Sequence, residues 1–173
     1  ERHPLDSALA TVILPAFNEA SALPKVLSEI YAVLGRSAEV IVVDDGSTDG
    51  STEKIRVLAE IDGRVRPVIF ARNFGHQVAV TAGLDYSRGD AVVIIDADLQ
   101  DPPELIAPLY QKLSEGFEVV YAKRKSRKGE TLIKRMISYV GYAVINRTSD
   151  VRIPTNTGDF RIMTRRVVEE LRR

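Results

Sequence analysis

A chain of 173 residues, 45% hydrophobic and 28% charged, suits one folded domain with a substantial core rather than a disordered or membrane-dissolved segment. Cysteine is absent, which excludes disulfides, cysteine zinc sites and a cysteine nucleophile. Formal net charge is +0, so no global field points to nucleic acid, although positions 123–135 gather seven basic residues against the single acid Glu130.

The first expected element is a strand over 11–16, a nearly continuous apolar run. A helix follows over 21–34, placing Leu23, Val26, Leu27, Ile30, Val33 and Leu34 on one stripe. Next come a strand over 40–43 and a helix over 48–61, with Ser47, Thr48 and Asp49 as capping residues at its start. The pattern repeats with a strand over 65–71, a helix over 77–87, a strand over 91–95 and a helix over 103–114 that opens on proline. A weaker strand reads over 117–122. A further helix reads over 131–146, with Leu132, Ile133, Met136, Ile137, Val140, Val144 and Ile145 on one broad apolar face. Continuous apolar strands alternating with amphipathic helices predict an α/β fold with a mostly parallel central sheet, as one domain over 1–173. No leader peptide is legible in the polar residues 1–7, and no run reaches the ~20 apolar residues of a membrane span. The last residues read as helix up to Arg173, so the chain is expected to be a fragment of a longer one.

In parallel α/β sheets, ligands bind beyond the carboxyl ends of the strands. Those ends carry Pro15-Ala16-Phe17-Asn18-Glu19, Asp44-Asp45-Gly46-Ser47-Thr48-Asp49-Gly50, Arg72-Asn73-Phe74-Gly75 and Asp96-Ala97-Asp98-Leu99-Gln100-Asp101. Asp96 and Asp98, one residue apart past a buried strand, can converge on a hard cation such as Mg2+ or Mn2+, with Gln100 as a further oxygen donor. The same residues also read as an acidic turn, with Asp98 or Asp101 capping the helix after Pro102. Asp44 and Asp45 can accept hydrogen bonds from a nucleobase or ribose, or simply build a tight Asp-Gly-Ser turn. So many carboxylates on one rim repel each other unless a cation or a donor-rich ligand is expected there. A dinucleotide fold would need a glycine-rich first turn, and neither G-x-G nor the phosphate-loop pattern occurs in the chain.

Five motifs in family order then resemble the family 2 glycosyltransferases of GT-A fold. They are the Thr11 to Glu19 run, Val42-Val43-Asp44-Asp45-Gly46-Ser47-Thr48-Asp49-Gly50-Ser51, Arg72-Asn73-Phe74-Gly75-His76-Gln77, the run from Asp96 to Glu104, and Gly158-Asp159-Phe160-Arg161. The last three narrow the resemblance to the polyisoprenyl-phosphate branch, similar to dolichol-phosphate mannose synthase. The resemblance implies that Pro15, Asn18, Glu19, Asp45 and Ser47 hold the nucleoside, with Arg72 and Gly75 nearby. Asp96, Asp98 and Gln100 would surround the metal and the diphosphate, Arg124 would face the diphosphate, and Asp159 and Arg161 the reaction centre. It further implies an inverting transfer from a nucleoside-diphosphate sugar, UDP-glucose before GDP-mannose or UDP-aminoarabinose, to polyprenyl phosphate. Members of this branch usually continue into transmembrane helices, which places the full protein at the cytoplasmic face of the cell membrane.

An acceptor phosphate is already anionic near neutral pH, so Asp159 has less need to act as a general base than in relatives acting on sugar hydroxyls. It can orient the acceptor, stabilise positive charge on the sugar, or be a turn residue after Gly158. The helix over 131–147 reads either as a core helix with snorkelling cations or as a helix in the membrane interface. The resemblance favours the interface, with Arg135 or Lys134 meeting the acceptor phosphate. Competing readings are a family 2 enzyme with a saccharide acceptor and a nucleotide-binding domain without transfer activity. The chain has no tryptophan, so the Gln-x-x-Arg-Trp element of polysaccharide-extending relatives is missing from it. A homo-oligomer is compatible with all of these readings.

Overall fold

The computed structural model describes residues 9–35, 38–123 and 157–173. The chain packs as two compact units, Glu1–Tyr121 with Asp159–Arg173, and Ala122–Gly158. The second unit contains the expected helix over 131–147, together with Arg124, Lys134 and Arg135, all of which lie outside the described residues. Among the described residues no helix is long and apolar enough to cross a membrane.

The strands are β1 (Ala10–Ala16), β2 (Ala38–Asp44), β3 (Val65–Ile69), β4 (Ala91–Ile94), β5 (Val119–Lys123) and β6 (Thr157–Thr164). The helices are α1 (Leu23–Leu34), α2 (Ser51–Ile61), α3 (His76–Tyr86), α4 (Ile106–Ser114), preceded by one 3-10 turn at Pro103–Leu105, and α5 (Arg165–Leu171). The sheet order is β3-β2-β1-β4-β6-β5. β1 pairs in parallel with β2 and β4, β2 pairs in parallel with β3, and β6 runs antiparallel to β4. The expected mixed α/β architecture with a mostly parallel sheet is therefore what forms.

All seven residues of β1 are buried, and in β2 only Glu39 is not fully so. Ile13, Ile41, Val43, Val92 and Ile94 form one core with Ala79, Val80 and Leu84 of α3 and Val168 of α5. The alternate residues Val12, Leu14, Val40, Val42 and Val93 are equally buried, so the opposite face is covered too, and α1 packs against β2 there. Each such side chain contributes about 1.5–3 kcal/mol over leaving it exposed. Gly83 inside α3 has a packing reason: a Cβ there would meet the Ile13 side chain at 2.3 Å, so the helix can lie directly on β1 only with glycine at that point.

At the amino edge of the sheet the polar groups close on one another. Thr11 donates its hydroxyl to Glu39 Oε1 at 2.7 Å, Arg66 Nη1 donates to Glu39 Oε2 at 2.8 Å, and the Arg88 N–H reaches Oε1 at 3.1 Å. Arg165 donates from Nε and Nη2 to the Gly89 carbonyl at 2.9 and 2.6 Å. Burial works to raise the Glu39 pKa, but the hydrogen bonds from Thr11, Arg66 and Arg88 and the Arg66 charge outweigh it, so the carboxyl titrates below its ordinary value.

Most element ends shift by a residue or more from the sequence expectation, and the starts of α2 and α4 and the presence of β6 differ most. α2 starts at Ser51 rather than 48, because Gly50 takes a left-handed conformation with φ 91° and no side-chain cap forms at that position. The 3-10 turn opens at Pro103 behind an extended Pro102, and α4 proper begins only at Ile106. β6 has no counterpart among the expected strands. Its buried residues, Phe160, Ile162 and Met163, are interrupted by Asp159 and Arg161 and make too short an apolar run to read as a strand alone.

Candidate active site

The carboxyl ends of β1, β2 and β3 are joined by a polar lattice. Asn18, held at φ 59°, donates its N–H to Ser47 Oγ at 2.9 Å and accepts the Thr48 N–H on Oδ1 at 2.8 Å. Glu19 donates its N–H to Ser51 Oγ at 2.9 Å, and Ala20 donates to Asp49 Oδ2 at 3.1 Å. Asp44, fully buried, accepts the Ser47 N–H at 3.0 Å on one oxygen and the Thr52 hydroxyl on the other. Asp45 accepts the Phe74 N–H at 2.7 Å and the Gly75 N–H at 2.9 Å. Gly46 fits beneath the next loop because a Cβ there would lie 2.3 Å from the Arg72 carbonyl carbon. The Asp-Asp-Gly-Ser run is thus first a loop-clamping device. Each Asp45 oxygen accepts a backbone amide, so Asp45 fixes Gly75 in its left-handed turn (φ 99°).

Beside this lattice opens a cleft of about 190 Å3 lined by Pro15, Phe17, Asp45, Asn73, Gly75 and His76, among others. It gathers Pro15, Asp45 and Gly75 from the expected nucleoside set, whereas Asn18, Glu19, Ser47, Arg72 and Asp96 do not line it. The Arg72 guanidinium stacks 4.1 Å above the Phe74 ring and donates to the Asn73 carbonyl at 3.3 Å.

On the other side of His76 lies an acidic basin. Asp96 follows β4 directly, the Ile95 N–H still bonding to the Ile13 carbonyl. Asp98 Oδ1 accepts the Gln100 N–H at 2.9 Å and Leu99 takes φ 59°, so the Asp98 turn is real, but it occupies only one of the two carboxylate oxygens. Gln100 is exposed at the same turn. Burial raises the Asp96 pKa; a protonated His76 lowers it, while Asp98, Asp159 and Asp101 raise it further, and the net direction is upward. The Glu19 pKa is raised by burial and then by Asp98, Asp49 and Asp96. His76 opens α3 and stands between two strands: Nδ1 is 3.8 Å from Asp96 Oδ1 and Nε2 is 3.3 Å from Asp159 Oδ2. Arg161 Nη1 is 3.7 Å from Asp159 Oδ1, and its guanidinium lies 6.0 Å from the Tyr121 ring centre.

Among the described residues no group of three or more His, Cys, Asp or Glu side chains makes a complete metal-binding set. The donor chemistry nevertheless fits a hard divalent ion. Asp98 stands on the same rim as Asp96 and adds to the burial that raises the Asp96 pKa, and a cation removes that penalty. Two protein oxygens with the remaining positions left to phosphate is the usual arrangement for Mg2+ and resembles that of Mn2+. Of the expected reaction-centre residues, Asp159 and Arg161 come together with Asp96. His76, which joins them, carried no expected role. Its signals in the sequence are its place one residue after Gly75 at a strand's carboxyl end and its membership of the Arg72 to Gln77 motif.

Residues 11–172 match the family model described as glycosyl transferase family 2. The chain belongs to glycosyl transferase family 2. Among its relatives, the uncharacterized glycosyltransferase YkcC of Bacillus subtilis (strain 168) is 45% identical over 94% of this chain and 51% of its own length. The bactoprenol glucosyl transferase of Shigella phage SfV is 40% identical over 94% of this chain and 54% of its own length. The chain spans about half the length of these curated relatives. A solved mannosyltransferase, PcManGT from Pyrobaculum calidifontis in complex with GDP-Man and Mn2+, is 27% identical with a TM-score of 0.68, covering 95% of this chain and 46% of that one. The mostly parallel sheet is thus that of a GT-A fold, as the motifs imply.

Proposed function

We propose that this domain is the catalytic part of an inverting hexosyltransferase that moves glucose from UDP-glucose to polyprenyl phosphate, with Mg2+ or Mn2+ as cofactor. The observation that carries the reading is the meeting of Asp96, Asp98 and Asp159 on one rim of the sheet, with His76 and Arg161 beside them. The names of relatives at 39–40% identity, bactoprenol glucosyl transferases, support the sugar and the lipid.

The donor's nucleoside enters the cleft between Pro15, Phe17 and Asn73, whose floor Asp45 holds by its bonds to Phe74 and Gly75. Asp96 and Asp98, with Gln100 near, are the residues that would hold the ion, which on binding neutralises charge on the departing diphosphate. Arg161, and Arg124 from outside the described residues, supply charge-assisted hydrogen bonds to phosphate. One displacement then suffices: an acceptor phosphate oxygen forms the new bond to the anomeric carbon as the bond to the diphosphate oxygen breaks, with inversion. That oxygen needs no deprotonation, so Asp159 orients the acceptor and stabilises charge on the sugar. Lys134 and Arg135 meet the lipid phosphate, and the segment 131–147 lies in the membrane interface at the cytoplasmic face of the cell envelope.

The test is a transfer assay on the full chain with undecaprenyl phosphate, offering UDP-glucose, GDP-mannose or a UDP-aminoarabinose donor with Mn2+, Mg2+ or chelator. Metal-dependent glucosyl-lipid formation from UDP-glucose is expected. Preference for GDP-mannose would transfer the reading to a mannosyltransferase, and nucleotide binding without transfer from any donor would overturn it.

A further inference from the structure

Asp96 lies just beyond β4 and Asp159 in β6, and continuing the antiparallel register that pairs Ile94 with Arg161 brings the two carboxylates level. Two carboxylates on neighbouring strands repel unless something separates or neutralises them. The His76 ring occupies that gap, 3.8 Å from one and 3.3 Å from the other. Its Nε2 is buried and lacks an aligned hydrogen bond, although Asp159 Oδ2 is within reach. Contacts of this kind, close but off-axis, are common in unliganded catalytic sites and tighten on substrate binding. The backbone that carries the ring is well anchored: Asp45 grips the amides of Phe74 and Gly75 immediately before it, and α3 begins at His76 itself.

Resting on the transfer reaction proposed above, we infer that His76 is a positioning residue acting through Asp159, whose carboxylate it spaces from the Asp96–Asp98 group and turns toward the acceptor. Arg161 Nη1 stands 3.7 Å from the second Asp159 oxygen, so the carboxylate has a cationic neighbour on its other side. The lattice of Asp45, Gly75 and His76 thereby ties the nucleoside side of the site to the reaction centre.

The test uses the full chain with His76→Ala, His76→Gln, Asp159→Asn and the His76→Ala/Asp159→Asn double variant, measuring kcat, KM and UDP affinity. His76→Ala is expected to lower kcat about 10- to 100-fold, as small misplacements of reacting groups do. UDP affinity should hold and His76→Gln should recover part of the loss. In the Asp159→Asn background the same change should cost no more than about two-fold, because coupled residues are not additive. An equal loss in both backgrounds, or UDP affinity falling in step with kcat, would overturn the inference. If the wild type transfers no sugar, the proposed reaction falls, and His76 is judged by its ring nitrogen resonances: Asp159→Asn must move the Nε2 signal, and an unmoved signal overturns the positioning role by itself.

Discussion

The two edges of the sheet use similar residues to opposite ends. At the amino edge, Glu39 receives hydrogen bonds from Thr11, Arg66 and Arg88, and its pKa falls. At the carboxyl edge, Asp96 and Glu19 meet burial as well, without such donors, and face other carboxylates, and their pKa values rise. Both regions sit on the same rigid strands, so the difference is one of partners rather than of packing. A fold can leave charge uncompensated where a ligand will supply the balance, provided the rest of the molecule carries the stability. The amino edge and the two-faced core do so here.

That contrast can be broken in four ways. The largest effect is expected from Asp98→Asn, which keeps the Oδ1 that accepts the Gln100 N–H but removes the charge. Metal-dependent transfer should fall on the order of 100- to 1000-fold, with the fold intact. Mn2+ should raise the melting temperature of the wild type and not of the variant; full activity with ordinary metal dependence would remove Asp98 from the metal site. Next, Asp159→Asn should slow transfer about 10- to 100-fold while leaving nucleotide affinity nearly unchanged, read by steady-state kinetics beside calorimetry. Equal losses in both would make Asp159 structural.

At the amino edge the expectation reverses. Glu39→Ala removes the acceptor shared by Thr11, Arg66 and Arg88, leaving Arg66 only the Tyr86 carbonyl, and should cost about 2–3 kcal/mol of stability in denaturant melts without altering UDP binding. Because the folded Glu39 pKa is depressed, its contribution is complete above the ordinary value of 4.5 and is lost as pH falls through the lower folded value. The smallest effect is expected from Asp96→Asn without metal. A carboxyl with a raised folded pKa penalises the folded state while ionised, so the variant should melt a few degrees higher at neutral pH. The gain should shrink as pH falls through the raised pKa of the wild type and vanish below the ordinary value of 3.8. A variant less stable than wild type at neutral pH would show that the basin is already balanced.

The strands β1 to β5 and helices α1 to α4 were legible in the sequence because their apolar residues recur at the period of each element over enough length to be read. The acidic strand ends were legible for the same reason, since a strand's carboxyl end is known once the strand is. β6 was not, because its core residues are few and broken by charge, and only pairing with β4 makes them a strand. The clamping role of Asp45 was hidden too, since its partners, the amides of Phe74 and Gly75, lie 29 and 30 residues away.

The sequence by itself therefore determined the class of fold, the edge on which the acidic strand ends gather and the kinds of oxygen donor found there, all of which follow from local periodicity and residue chemistry. The tertiary structure alone decided which partners each carboxylate meets. Asp44 and Asp45 accept bonds from loop groups, whereas Asp96 is raised by burial and by other carboxylates and meets Asp159 across His76. Such choices depend on distances between segments far apart in the chain, and a carboxylate's role is set by what stands within a few ångströms of it.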